Sequence, residues 1–218
     1  MHLADGLLSA PIYLGGYAIA GLTTWYCLRK IDRQPDPRAG IPKASLLTAA
    51  FFVASGIHIP LPPTSVHLVL NGLLGTVLGY YAFPAIAIGL FFQAVMFGHG
   101  GLASLGINAL MMGIPALLAY QIFQGRRWLL KQGDRRWVIG LFAFFAGAVG
   151  LGLAVVLFAL IAILALPANL DSATEQAAIY AIAIAHIPLM ALEGIFTTLL
   201  VLFLQRAKPE LLEIGPRS

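Results

Sequence analysis

The chain has 218 residues, of which 60% are hydrophobic and 10% are charged, and its mean hydropathy is +0.88. Soluble globular domains have about 45–50% apolar and about 25% charged residues, so this composition excludes a soluble domain and indicates an integral membrane protein. The length fits one membrane domain, residues 1–218. The formal net charge of +4 raises the possibility of a nucleic-acid partner, but the positions of the positive charges argue against it.

The positive charges mark the sides of the membrane. All Lys and Arg residues fall within 29–43, 126–136 and 206–217. Short segments dense in Lys and Arg lie on the cytoplasmic side, so the sequence predicts two cytoplasmic loops and a cytoplasmic tail, 206–218. The loop 167–176 carries acidic residues without Lys or Arg, which indicates an external loop.

Seven membrane-spanning helices are predicted, since a helix needs about 20 mostly apolar residues to cross the bilayer. The middle of the chain connects an external to a cytoplasmic loop and is too long for one crossing, so it is divided into three. The 30-residue span near the C-terminus could hold a bent pair, but a single tilted crossing is preferred. The prediction is an all-α protein with its N-terminus outside, and its helices cover residues 7–28, 44–59, 67–83, 84–97, 104–123, 137–166 and 177–204.

The N-terminal dipeptide Met1-His2 is a potential metal chelator. A free α-amine on Met1, the backbone nitrogen of His2 and the His2 imidazole can bind one metal in two fused small rings. Three nitrogens in one plane suit Ni(II) or Cu(II). Because most N-termini are frayed, the competing interpretation is a histidine without any role.

Polar residues inside the apolar spans are costly and usually face a bundle interior. Those singled out here are His58, His67, Asn71, Gln93, His99, Asn108, His186 and Glu193. His67 is expected to begin a helix near the external face that also holds Met1-His2, so its imidazole could supply a fourth nitrogen. Bonding to a loop carbonyl is the alternative role for His67, and both interpretations stay open.

The remaining intramembrane polar groups suggest no catalysis. His186 and Glu193 share one helical face, where Glu193 either anchors packing, which is favoured, or relays a conformational change. The sequence contains no GxxxxGK[ST] phosphate loop, no HExxH and no Ser–His–Asp set, so no catalytic residue is predicted. A membrane metalloenzyme using His58, His99 and His186 is kept as an alternative, and it requires these side chains to converge on one metal.

Four ordered segments resemble the signatures of the CbiM/NikM proteins, the substrate-capture (S) components of energy-coupling-factor transporters for cobalt and nickel. The opening MHLADGLLS is similar to the family's MHIxDGxLS, with Leu3 and Ala4 as mild departures. The other three segments are 63–75, 93–113 and 185–197. The resemblance extends from residue 1 to about residue 205.

The resemblance implies a seven-helix fold whose added N-terminal helix delivers the N-terminus into the bundle. It also implies a four-nitrogen site from the Met1 amine, the backbone nitrogen and imidazole of His2, and the His67 imidazole. Residues 1–6 would then form the chelating N-terminus, with Ni²⁺ or Co²⁺ as the cargo and no resident cofactor. Candidates for the groups that orient the imidazoles are Asp5, Ser65, Asn71 and Asn108.

By the same resemblance, the expected partners are a transmembrane coupling (T) subunit, a pair of cytoplasmic ATPases and a small accessory membrane subunit, all at the cell's inner (plasma) membrane. Metal delivery would follow from tilting of the whole subunit, driven by the ATPases. The alternative is a stand-alone divalent-metal channel or secondary transporter. The lack of a convincing internal sequence repeat weakens the secondary-transporter version.

Overall fold

The structure is a computed structural model that describes residues 2–61, 64–129, 136–165 and 172–212, with the backbone only at 58–61, 64–66 and 172. Seven α-helices and one short β-hairpin form this described part of the chain. The helices are α1 (Ala10–Asp32), α2 (Ile41–Ala54), α3 (Asn71–Leu78), α4 (Ala82–Phe97), α5 (Leu105–Leu129), α6 (Arg136–Leu164) and α7 (Ser172–Ala207). The strands are β1 (His58–Leu61) and β2 (Thr64–His67), and 3-10 helices cover Gly79–Tyr81 and Pro209–Leu212.

Among the described residues, four helical segments are long and apolar enough to cross a membrane. They are Asn71–Phe97, which joins α3 and α4 through the 3-10 turn, Leu105–Leu129, Arg136–Leu164 and Ala173–Ala207. α6 is one unbroken helix rather than a bent pair. Large apolar side chains point outward along the bundle, as Leu14, Leu164 and Leu199 do, each more than 60% exposed. This surface suits contact with lipid, and the chain is a multi-pass membrane protein.

The region around His67 differs from the prediction. The expected helix at 67–83 does not begin at His67, because residues 64–67 form β2 and pair antiparallel with β1, with His58 opposite His67. The proline-rich sequence 60–63 explains this, since proline disfavours a helix interior and favours turns and strand edges. The helix begins instead at Asn71, after Leu70 adopts a left-handed conformation with φ 55°.

α3 is the centre of the bundle, and all eight of its residues are buried. Two glycines allow its backbone to touch its neighbours. A Cβ added to Gly75 would lie 1.9 Å from the carbonyl oxygen of Ala116 in α5, and one added to Gly72 would lie 2.7 Å from Cα of Gly147 in α6. Small residues allow membrane helices to approach this closely. The core is therefore built from backbone contacts as much as from side chains.

The start of the predicted tail 206–218 folds back onto the bundle. Lys43, near the start of α2, donates from Nζ to the carbonyl oxygen of Leu211 at 2.7 Å. Leu212 is buried against the same core. The C-terminal 3-10 helix therefore packs against the membrane domain at the end where α1 and α2 meet.

Candidate metal centre

The N-terminal segment, residues 2–9, is anchored on α5. The amide of Leu3 donates to Oδ1 of Asn108 at 2.9 Å, and Nδ2 of Asn108 donates to the carbonyl oxygen of Leu3 at 3.0 Å. The hydroxyl of Ser104 donates to the same carbonyl at 2.8 Å. Leu3 is 1% exposed, so its backbone would otherwise lack partners. These bonds fix a segment that is frayed in most proteins.

Asp5 provides a second attachment at the N-terminal end of α5. Its carboxylate accepts from the amide of Ser104 at 2.8 Å and from the amide of Ala103 at 3.2 Å. Burial raises the pKa of Asp5, but the bonds from these amides lower it more, so the net pKa is below the ordinary value. Free amides at a helix start favour a negative charge, so the ionised carboxylate holds the segment in place.

Two glycines of the loop between α4 and α5 make room for the N-terminal segment. A Cβ added to Gly101 would lie 2.0 Å from Cγ of Asp5. One added to Gly100 would lie 2.8 Å from Nδ2 of Asn108, and Gly100 also has φ +77°, which strains other residues. The glycine-rich sequence around His99 is therefore a close-contact surface for the N-terminal segment.

His2 lies between two other histidines. Its ring centroid is 5.6 Å from that of His67 and 5.8 Å from that of His99, and both pairs are nearly parallel. Its Nε2 lies 2.9 Å from Oε1 of Gln93 in α4. Burial is the largest cause that holds the pKa of the His2 imidazole well below its usual range, and nearby His67 adds to it. A neutral imidazole keeps a nitrogen lone pair for a metal.

His67 is held at the end of β2 and is buried. Its Nδ1 lies 3.1 Å from the carbonyl oxygen of Leu68. The turn that follows is fixed from α7, where Oε1 of Glu193 accepts from the amides of Val69 and Leu70. Glu193 therefore connects α7 to the turn that positions His67, in addition to packing inside the bundle.

The other predicted residues fall in different places. Asn108 anchors Leu3, whereas Asn71 donates to the carbonyls of Met112 and Gly150 and so joins α3 to α5 and α6. Met1 and the side chain of Ser65 lie outside the described part of the chain, so their predicted roles stay predictions.

The three histidines of the metalloenzyme alternative are not seen to converge. His99 lies against His2, while His186 lies in α7 and contacts its own helix through Nδ1, 2.7 Å from the carbonyl of Ile182. The side chain of His58 is outside the described part of the chain. Within the described residues, no group of three or more His, Cys, Asp or Glu side chains could hold a metal. The predicted four-nitrogen set draws only two of its nitrogens from side chains.

A cavity of about 780 Å³ lies elsewhere, between α1, α2 and α4. It is lined mainly by apolar side chains, among them Leu28, Ile41 and Phe92, with Arg38 and Asp32 at its edge. None of the histidines whose side chains are described lines it. The cavity is therefore separate from the candidate metal centre, which is a small polar cluster.

Sequence reasoning missed three contacts of this cluster. Gln93 bonds to His2, His99 stacks on His2, and Ser104 bonds to Leu3. Gln93 and His99 stand out in the sequence as polar residues in or beside an apolar span, which is a usable signal. Their partner is about 90 residues away in the chain, and only the folded bundle brings them together.

Membrane-spanning helices, an anchored N-terminal segment and neighbouring imidazoles are features expected of a membrane protein that binds a metal. Comparison with known proteins agrees with this class. The family model CbiM, described as "Cobalt uptake substrate-specific transmembrane region", matches residues 2–211. The chain belongs to the CbiM family of cobalt and nickel transport proteins.

Relatives and a solved structure extend the match over nearly the whole chain. A Haemophilus influenzae protein named "Putative metal transport protein" is 34% identical, with 97% of each chain covered. The "Fused nickel transport protein NikMN" of Rhodobacter capsulatus is also 34% identical over 97% of this chain, which spans 64% of that protein. A crystal structure of a truncated transition metal transporter has a TM-score of 0.76 and 25% identity, and covers 95% of this chain and 99% of its own.

Proposed function

We propose that this chain is the substrate-capture (S) component of an energy-coupling-factor importer that takes up Ni²⁺ or Co²⁺. The metal would be bound by four nitrogens: the Met1 amine, the backbone nitrogen and imidazole of His2, and the His67 imidazole. The observation that carries the proposal is the anchoring of Leu3 by Asn108, which places the His2 ring 5.6 Å from that of His67. The chelating function is assigned to residues 1–6 of the single domain 1–218.

Of the two ions, we propose Ni²⁺ rather than Co²⁺ as the preferred cargo. Nitrogen ligands in one plane suit Ni²⁺, and the general order of affinities places Ni²⁺ above Co²⁺. Neutral imidazole and amine nitrogens suit both ions better than Ca²⁺ or Mg²⁺, which prefer oxygen ligands. No resident cofactor and no enzymatic step are needed for capture, because the metal itself is the substrate.

The proposed topology is seven crossings with the N-terminus outside and the tail inside the cell. It places the basic segments 29–43 and 126–136 in the cytoplasm, in line with the positive-inside rule. The site at Met1, His2 and His67 then faces the exterior of the inner (plasma) membrane, from which metal is captured.

Delivery of the metal requires energy from partners, which are proposed to be a transmembrane coupling (T) subunit, a cytoplasmic ATPase pair and a small accessory membrane subunit. The fused NikMN relative, which joins a matching segment to a further one in the same chain, supports an assembly of several transport components. Tilting of this chain as one body is the proposed route inward. A stand-alone channel would instead transport metal in liposomes without any ATPase.

Metal binding by purified protein with a native N-terminus tests the proposal. Three variants should lose Ni²⁺ and Co²⁺ binding: one residue added before Met1, His2→Ala and His67→Ala. Thr198→Val is the control, because its hydroxyl bonds only to the carbonyls of Gly140 and Gly194 among the contacts described for it, away from the histidine cluster. Calorimetric titration with each ion, then with both in competition, gives affinity and preference. Unchanged binding by the extended protein would rule out the chelate.

A further inference from the structure

We propose that Gln93 is a positioning residue that selects the His2 tautomer required for chelation. This inference rests on the proposed four-nitrogen site and adds a residue to it. Gln93 lies in α4 and is fully buried. Its Oε1 lies 2.9 Å from Nε2 of His2, at the centre of the cluster.

The bond determines where the imidazole proton sits. An amide oxygen can only accept, so Nε2 of His2 must donate a proton to Oε1 of Gln93. In a neutral ring the other nitrogen, Nδ1, then has no proton and offers its lone pair. Which nitrogen binds a metal is generally set by the hydrogen bond that the other nitrogen makes.

Chelation by the N-terminus needs Nδ1 and not Nε2. The ring that closes through the His2 backbone nitrogen runs over Cα, Cβ and Cγ to Nδ1 and back through the metal. Nε2 lies on the far side of the imidazole and cannot close this ring. The tautomer imposed by Gln93 is therefore the one that a chelate with the His2 backbone requires.

His67 is held in the opposite tautomer. Its Nδ1 faces the carbonyl oxygen of Leu68, which is also only an acceptor, so Nδ1 carries the proton. The lone pair is then on Nε2 of His67. Two acceptors from different elements, a side-chain amide in α4 and a backbone carbonyl after β2, thus prepare two neighbouring imidazoles to bind through different nitrogens.

The second polar atom of Gln93 supports a role beyond packing. Its Nε2 is buried and has no hydrogen-bond partner among the described residues. Leaving a buried donor unsatisfied is unfavourable, so a purely structural position would favour an apolar side chain. The bond from His2 to the amide oxygen of Gln93 accounts for a polar side chain at this position.

The test measures the His2 tautomer directly in the metal-free, full-length protein with a native N-terminus. Nitrogen-15 NMR of labelled histidine distinguishes a protonated from an unprotonated ring nitrogen, and His2→Ala identifies the His2 signals. A proton on Nε2 is expected. A proton on Nδ1 in the wild-type protein overturns the inference, and this readout needs neither a variant nor a metal.

Ni²⁺ titration of two variants provides the functional readout. Gln93→Met removes the amide oxygen from a side chain of similar length. Gln124→Met is the control, because the amide atoms of Gln124 are also buried without a described bond, whereas Gln124 lies toward the end of α5 remote from Asn108. Gln93→Met should bind Ni²⁺ about 10- to 100-fold more weakly and populate the Nδ1-protonated tautomer. Equal affinity in both variants contradicts the inference. Ni²⁺ binding that survives an N-terminal extension contradicts only the proposed function.

Discussion

Replacing Asn108 by Leu tests whether anchoring of the N-terminal segment governs metal binding. Leucine has the same branched shape as asparagine but is larger, and it cannot bond to Leu3. The carbonyl of Leu3 keeps the Ser104 hydroxyl as a donor, but its amide loses the only acceptor described for it. The variant therefore weakens the attachment of the segment without emptying the space that Asn108 fills.

The magnitude follows from these bonds. A buried amide without an acceptor costs about 1–3 kcal/mol, and the second lost bond costs about 1 kcal/mol. Attachment of the segment should therefore weaken by about 2–4 kcal/mol, which is roughly 30- to 700-fold in its equilibrium. Only molecules with the segment attached bind metal, so the apparent affinity is the intrinsic affinity multiplied by the attached fraction. We expect a large loss of Ni²⁺ affinity with the helices intact.

Two measurements check the expectation. Calorimetric titration with Ni²⁺ reports the affinity, and amide hydrogen exchange of residues 2–9 reports detachment of the segment. Thr198→Val is the control, because it removes a bond from Thr198 to Gly140 between α6 and α7, away from the site. If Asn108→Leu lowers neither exchange protection nor affinity more than Thr198→Val does, anchoring through Leu3 does not position His2.

Gly101→Ala, Asp5→Asn and Gly75→Ala test three further contacts, and Gly15→Ala is a control. Gly101→Ala should reduce Ni²⁺ affinity and raise exchange in the N-terminal segment, because the new methyl group would collide with Asp5. The lowered pKa of Asp5 means that its attachment is fully present above the ordinary value of about 3.9 and is lost as the pH falls through the lower folded value. The protection of the segment's amides, measured relative to their intrinsic exchange at each pH, should fall with that loss, and Asp5→Asn should abolish this pH-dependent change in protection. Gly75→Ala should destabilise the bundle by about 3 kcal/mol or more in thermal unfolding, whereas Gly15→Ala, which meets open space, should be neutral or slightly stabilising.

The long helices could be predicted because their signal is local. An apolar run that follows Arg135 and Arg136 indicated a helix over 137–166, and the structure has α6 at Arg136–Leu164. The hairpin could not be predicted in the same way, since β1 and β2 are four residues each and their pairing depends on the helices around them. The predicted helix start at His67 was wrong for this reason.

In the candidate site, too, features of adjacent residues could be predicted from the sequence, and contacts between distant residues could not. The potential of Met1-His2 to chelate is a property of two adjacent residues and is visible in the sequence. The bond from His2 to Gln93 joins residues 91 positions apart, and the bond from Leu3 to Asn108 joins residues 105 apart. Contacts of this kind arise from helix packing, for which apolar periodicity gives no register.

The glycine contacts of α3 bear on how a captured metal could move. Because Gly72 and Gly75 bring α3 into backbone contact with α6 and α5, the helix has no gap through which to slide or rotate. Helices packed in this way move as one rigid body. A rotation of the bundle would therefore reorient the histidine cluster together with its surroundings. The N-terminal segment is held to this bundle by the hydrogen bonds of Leu3 to Asn108 and Ser104, so breaking those bonds is the change that would open the cluster.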